Sequence, residues 1–155
     1  MSHVNLIRVN VTDSGTPSPA QSASGWKGGA PMCFDSTGNY IQLATGQNTM
    51  FVVVEDSTYT TSALFNNPPS GKLVTTVYGG GTVIEIDHAA EVAAGDASRV
   101  YDASVASASP NADIYVSASG LYTTASGSST MPLFKLTKVP SASNNYTIGL
   151  KFINV

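Results

Sequence analysis

Charge is what this chain has least of. Asp, Glu, Lys and Arg together make up 11% of its 155 residues, against roughly 25% in an average soluble domain. Seven Lys and Arg against ten Asp and Glu leave a net charge of −3, and the cations are scattered. Sequence-independent nucleic-acid binding needs several phosphate-neutralising cations on one face, so no nucleic-acid partner is expected. Cysteine occurs once, at Cys33, which excludes an intrachain disulfide. Between Met32 and Phe34 that thiol reads as a small buried hydrophobe. Histidine occurs twice, at His3 and His88. No apolar run approaches the roughly 18 residues of a membrane span, so no membrane partner is expected. Residues 1–5 carry no basic n-region, and no secretory leader is read there. The sequons at Asn10 and Asn145 are accordingly read as chance matches.

Ser, Thr, Asn and Gly stand where charge would be. A neutral polar surface is poorly defended against self-association, because charge is what keeps monomers apart. Either part of this surface is used in oligomeric or lattice contacts, or the chain simply happens to be rich in Ser and Thr. Composition leaves both open. At this length one domain can bury a core without disulfides or metal.

The clearest local pattern runs from Ser70 to Asp87. Two β-branched runs flank Gly79-Gly80-Gly81, and the spacing predicts a β-hairpin turning on the glycines. Its second arm alternates, with Val83, Glu85 and Asp87 on one side and Thr82, Ile84 and Ile86 on the other. Further short strands are predicted at Val4–Val11, Met32–Phe34, Tyr40–Leu43, Met50–Glu55, Ser98–Tyr101, Asp113–Val116, Gly120–Thr123, Leu133–Leu136 and Tyr146–Ile153. Turn residues separate them. This spacing predicts an all-β fold: a small barrel or sandwich of short antiparallel strands. Phe51-Val52-Val53-Val54 lacks alternation, as a strand buried on both faces does. One short helix is expected, with Asp87 as N-cap, His88–Ala94 as its body and Gly95 as its stop.

Residues 13–31 are dominated by Ser, Gly, Pro and Ala around the only tryptophan, Trp26. Such a stretch buries too little to fold alone. Residues 1–30 therefore read as an extended N-terminal arm, with Trp26 as an anchor, and residues 31–155 as a β-rich body. The competing reading is a loop laid across its own domain, with Trp26 in the core.

Catalytic patterns are scarce. No base stands near a nucleophile in any recognised spacing, and His88 reads as a first-turn histidine with a solvent-facing ring. No Cys/His pair has zinc spacing and no acidic loop has the calcium pattern. Glu85 and Asp87 share one strand side, an arrangement compatible with a glycosidase pair, a cation site or a solvated strand face. Gly79–Gly81 lacks the Lys-Ser/Thr of a phosphate loop. No enzyme activity, metal or cofactor is expected. Tyr59, Tyr78, Tyr101, Tyr115, Tyr122 and Tyr146 are spread along the body, where exposed rings can stack on sugars.

From about Gly29 to Val105 the order of elements resembles the capsid decoration, or cement, proteins of tailed bacteriophages. The resemblance rests on Pro31-Met-Cys-Phe-Asp35, Gly38-Asn-Tyr-Ile-Gln-Leu43, Phe51-Val-Val-Val-Glu55, the segment Gly71–Asp87, and Ala93-Ala-Gly-Asp96. The extended N-terminal segment is similar to the arm such proteins lay on a shell. The resemblance is one of pattern over about half the chain, and it does not reach the part after Pro110. It implies a non-enzymatic virion protein on the outer surface of a phage capsid, made in the host cytoplasm. Its partners would be the major capsid protein and itself, as a homotrimer or a dimer. An arm can add a strand to an exposed sheet edge, with Leu6, Val9, Val11 and Trp26 as the capsid-contact candidates. The alternative is a carbohydrate-binding β-domain of a fibre, spike or adhesin, using exposed tyrosines and the loops between Val116 and Tyr146.

Overall fold

Strands form where Val, Ile, Thr, Tyr and Phe cluster. The computed structural model describes residues 3–56, 73–127 and 131–155. Within them lie β1 His3–Arg8, β2 Val11–Gly15, β3 Pro31–Phe34, β4 Ile41–Leu43, β5 Phe51–Val53, β6 Val74–Tyr78, β7 Val83–Asp87, β8 Asp113–Val116, β9 Tyr122–Thr123, β10 Phe134–Lys138 and β11 Ile148–Phe152. They form two sheets, ordered β1-β7-β11-β10-β8-β9 and β2-β6-β5-β3-β4, and every strand ladder is antiparallel. The fold is all-β and sandwich-like, in agreement with the spacing of strands and turns.

The glycine turn does not make the expected hairpin. β6 pairs with β2 and β5, whereas β7 pairs with β1 and β11. Residues 79–82 instead form a corner that carries the chain from one sheet to the other. Opposite them the N-terminal chain makes the same passage, so the strand predicted over Val4–Val11 is split into β1 and β2. Register runs from His3↔Asp87 to Arg8↔Val83, then from Val11↔Tyr78 to Gly15↔Val74. The result is one bent two-stranded ribbon belonging to both sheets.

Its corner is fastened from both sides. Asn10 donates from its backbone to Thr82 Oγ1 at 3.1 Å and from Nδ2 to the Gly80 carbonyl at 3.0 Å. The C-terminal chain adds bonds from Gly79 N to Val155 O and from Gly81 N to Phe152 O. Gly79 has φ +98°, and a Cβ there would lie 3.1 Å from the Asn10 amide. Conformation and space both call for glycine at that position.

The main core lies between the sheets. Ile84, Ile86, Phe134, Ile148, Leu150 and Phe152 meet Val52 and Val77 from the opposite sheet. The alternation read in β7 holds: Ile84 and Ile86 are buried, and Val83, Glu85 and Asp87 half-buried. Tyr122, Phe134 and Phe152 stack edge to face, with ring centroids 5.3 and 5.0 Å apart, a geometry the ring quadrupoles favour. β5 is buried on both faces, as its unbroken apolar run predicts. Val52 points into the main core, and Phe51 and Val53 into a second cluster with Trp26, Met32, Ile41 and Val74.

That second cluster fills the concave side of the five-stranded sheet. After β2 the chain forms a parallel bridge between Pro17 and Ile41. Ile41 N donates to Thr16 O at 2.9 Å and Ser18 N to Ile41 O at 3.0 Å. The sheet therefore curls until its two edges meet. Trp26 and Ala30 belong to the cluster inside the curl, and the Trp26 indole N–H donates to the Glu55 carbonyl at 2.6 Å.

The reading of residues 1–30 as an arm is corrected here. Residues 3–15 are strands of the body, and Trp26, only 7% exposed, is core. The loop laid across its own domain is the arrangement observed. A short helix, α1 Pro19–Ser24, lies within it, capped by Ser18 Oγ accepting from Gln21 N, with Pro19 opening its first turn. The expected later helix is α2 Ala89–Ala94, closed by Gly95 at φ +70°. Its N-cap is His88, one residue after the expected Asp87. A further turn, α3 Ala103–Ala106, is capped by Asp102 accepting from Ser104 N at 3.0 Å. Ser98–Tyr101 is not a strand; Tyr101 makes only an isolated bridge with Tyr122.

Candidate functional site

The four capsid-contact candidates fall in different environments. Leu6 is 41% exposed on β1, an outer strand of the six-stranded sheet. Val9 packs against the main core at the corner. Val11 is half-buried opposite Tyr78. Trp26 is buried and holds a structural hydrogen bond, so it offers no outward contact. The sequence reading missed Ile7, which is 60% exposed. The register slips between Leu6 and Arg8, making Ile7 the extra residue of a β-bulge. Alternation cannot place a bulged residue, so no sequence signal marked it.

The groups singled out for chemistry hold the fold together. Glu85 pairs with Lys138 at 2.9 Å, and Asp87 Oδ1 accepts from Ala89 N at the start of α2. This pair carries structural contacts, as a strand face does. Cys33 is buried, and burial raises its thiol pKa, which keeps it protonated and unreactive. His88 does not face solvent. Its ring is fully buried, with Nδ1 2.9 Å from the Tyr146 carbonyl and Nε2 accepting from Val100 N at 3.3 Å. These bonds select the neutral Nδ1–H tautomer, and burial pulls its pKa below the usual range.

Beside α2 a polar knot ties residues 27–28 to the rest. Lys27 Nζ lies 3.4 Å from buried Glu91 and 3.7 Å from Asp96. Gly28 N donates to Asp56, whose pKa is raised by burial. Among the described residues, no group of three or more His, Cys, Asp or Glu could share a metal ion. No helix among them is long and apolar enough to cross a membrane.

Among the described tyrosines, Tyr101 and Tyr122 are buried, and Tyr78, Tyr115 and Tyr146 are half-buried. Tyr122 is fully buried, and its hydroxyl donates to the Gly29 carbonyl at 2.7 Å. Tyr101 is buried, and Tyr146 lies under the Arg99 guanidinium, 4.5 Å from the ring centroid. Tyr59 falls outside the described residues. Among the described residues Tyr40 is the one tyrosine that is exposed.

Concave regions among the described residues include two of note. One, of about 620 Å³, is lined by Thr45, Asp102, Ser117 and Thr123 among others and is wide and polar. The other, of about 260 Å³, is the mouth of the curled sheet, lined by Phe34, Ile41, Met50, Phe51 and Tyr78 with Asp13 at its rim. Phe34 and Met50 are 47% and 52% exposed there. Phe34 meets Phe51 edge to face at 5.3 Å.

No protein-family model matches this chain, and no curated protein matches it either.

Proposed function

We propose that this is a non-enzymatic structural protein of a virion. In this reading it binds the outer surface of a phage capsid and stabilises it by bridging neighbouring major capsid protein subunits. The observation that supports it best is the outer edge of β1. An edge strand presents main-chain donors and acceptors to a further strand, and folds normally guard it with charge or proline. Here Leu6 and Ile7 stand exposed along it, ahead of a single charged residue, Arg8, at the bulge. Strand addition at such an edge draws affinity from backbone pairing and specificity from alternate side chains. Attachment is thus a property of the folded body's edge and needs no loose arm.

The low charge favours burial and backbone pairing over ion pairs. Many copies turn modest single contacts into avid ones. A homotrimer at local three-fold positions suits an icosahedral lattice, with a dimer as the other closed option. Co-sedimentation with undecorated capsids tests the reading, with attachment expected to persist in salt well above physiological, where screened pairs fail. Retention on immobilised glycans with no affinity for shells would overturn it.

A further inference from the structure

The mouth of the curled sheet combines features that the edge of β1 does not explain. Phe34, Phe51 and Tyr78 bring three aromatic rings to one opening. Pairing of Asp13 with Thr76 places Asp13 on the same concave face as Tyr78. The Asp13 carboxylate is exposed and accepts only from its neighbour, Ser14 N, at 2.7 Å. Among the described residues four acids form ion pairs, Glu85 with Lys138, Asp113 with Lys135, and Glu91 and Asp96 with Lys27, whereas Asp35, Glu55, Asp56, Asp87 and Asp102 accept hydrogen bonds inside the fold. Among the described residues Asp13 has no ion-pair partner.

We propose that this mouth takes an arginine side chain presented by a partner protein. The chemistry is complementary at both ends of the guanidinium. Its planar face stacks on aromatic rings, and its edge donates two parallel hydrogen bonds to a carboxylate. Size points the same way: about 260 Å³ falls below the roughly 300–1,000 Å³ of small-molecule sites and suits one side chain. Met50 and Ile41 offer an apolar wall for the methylene stem. The inference stands apart from shell binding, because it uses β2, β3, β5 and β6 and not the edge of β1.

Amide shifts of the isotopically labelled full chain, titrated with N-acetyl-argininamide, test it. Shifts are expected at Asp13–Gly15, Phe34 and Tyr78, with binding at least about tenfold tighter than for N-acetyl-leucinamide. Asp13→Asn should weaken the arginine derivative about fivefold or more while the rest of the spectrum stays unchanged. Phe34→Ala, at an exposed ring, should weaken it as well. Equal binding of the leucine derivative, preference for methyl glucoside, wild-type binding by Asp13→Asn, or no shifts at the solubility limit would each overturn the proposal.

Discussion

The Nδ1 atom of His88 lies 2.9 Å from the carbonyl oxygen of Tyr146, 58 residues further along the chain. The same ring accepts from Val100 N on its other nitrogen, so one neutral imidazole joins the start of α2 to two distant segments. Burial disfavours its charged form, aided by Arg99 and Lys27, and outweighs the Tyr146 carbonyl and Glu91, which favour it. The unfolded chain therefore takes up a proton at His88 more readily than the folded one. Stability from this site is whole above the unfolded value of about 6.5 and is lost as pH falls toward the lower folded-state value. Asp56 has the opposite slope, because burial raises its pKa; its penalty is relieved as pH falls. His88→Gln should cost about 1–3 kcal/mol at pH 7.5. The gap to wild type, measured by urea unfolding, should narrow on acidification to pH 5. A constant gap across that range counts against the neutral ring.

Trp26 is a structural residue, and its removal should show as lost stability. Trp26→Ala should destabilise by about 3–5 kcal/mol, from the lost apolar burial and the cavity it leaves. Deleting residues 1–30 removes the edge strand of each sheet as well, so the remainder should fail to fold cooperatively. A sharp unfolding transition of residues 31–155 in circular dichroism is the contrary result.

The exposed edge of β1 separates binding from folding. Ile7→Lys should leave stability within about 0.5 kcal/mol, because the side chain is bulged and open to solvent. It should lower co-sedimentation with undecorated capsids, since a lysine on an edge discourages strand addition. Unchanged attachment by a well-folded Ile7→Lys protein would move the contact elsewhere on the surface.

Tyr122 ties the two layers together through a single bond. Its hydroxyl reaches the Gly29 carbonyl in a fully buried setting, and burial drives its ionisation well above the ordinary range. Tyr122→Phe should cost about 1–3 kcal/mol, chiefly through the carbonyl left unsatisfied. An effect below about 0.5 kcal/mol would mean that Gly29 finds another donor.

At Gly149 the backbone of β11 passes close to β10, where Thr137 is the extra residue of a bulge. A Cβ on Gly149 would approach Lys138 N to 2.8 Å, and backbone cannot swing aside as a side chain can. Gly149→Ala should therefore destabilise by about 1–3 kcal/mol through overpacking. Thermal unfolding of the variant measures it; an unchanged midpoint would show that the bulge yields.

Strand positions were legible because β-branching and period-two alternation are local properties. Ile84 and Ile86 could be assigned to the core from their spacing, and Phe51–Val53 to a doubly covered strand from its lack of alternation. Pairing was not legible. Gly79–Gly81 turn the chain as a hairpin loop would, yet β6 and β7 each find their partners elsewhere. Composition also misled over residues 13–31. Ser18-Pro19 proves to be an N-cap followed by a first-turn proline, a helix start that the sequence reading missed among the small polar residues around it. The burial of His88 had no local sign, since its partners come from Val100 and Tyr146. The acid and rings at the mouth of the curled sheet lie on four strands, and only the register of the sheet brings them together.

The bent ribbon has a consequence for synthesis. Residues 3–15 leave the ribosome first, but the strands that hold them, β6 and β7, follow some seventy positions later. Until then the leading segment has no place to dock, and closing so long a loop is a slow, entropically costly step. Neither layer can seat its N-terminal strand, β1 or β2, before that moment. Because β7 also needs β11, which follows only at Ile148–Phe152, the nascent chain should stay protease-sensitive until β11 has emerged.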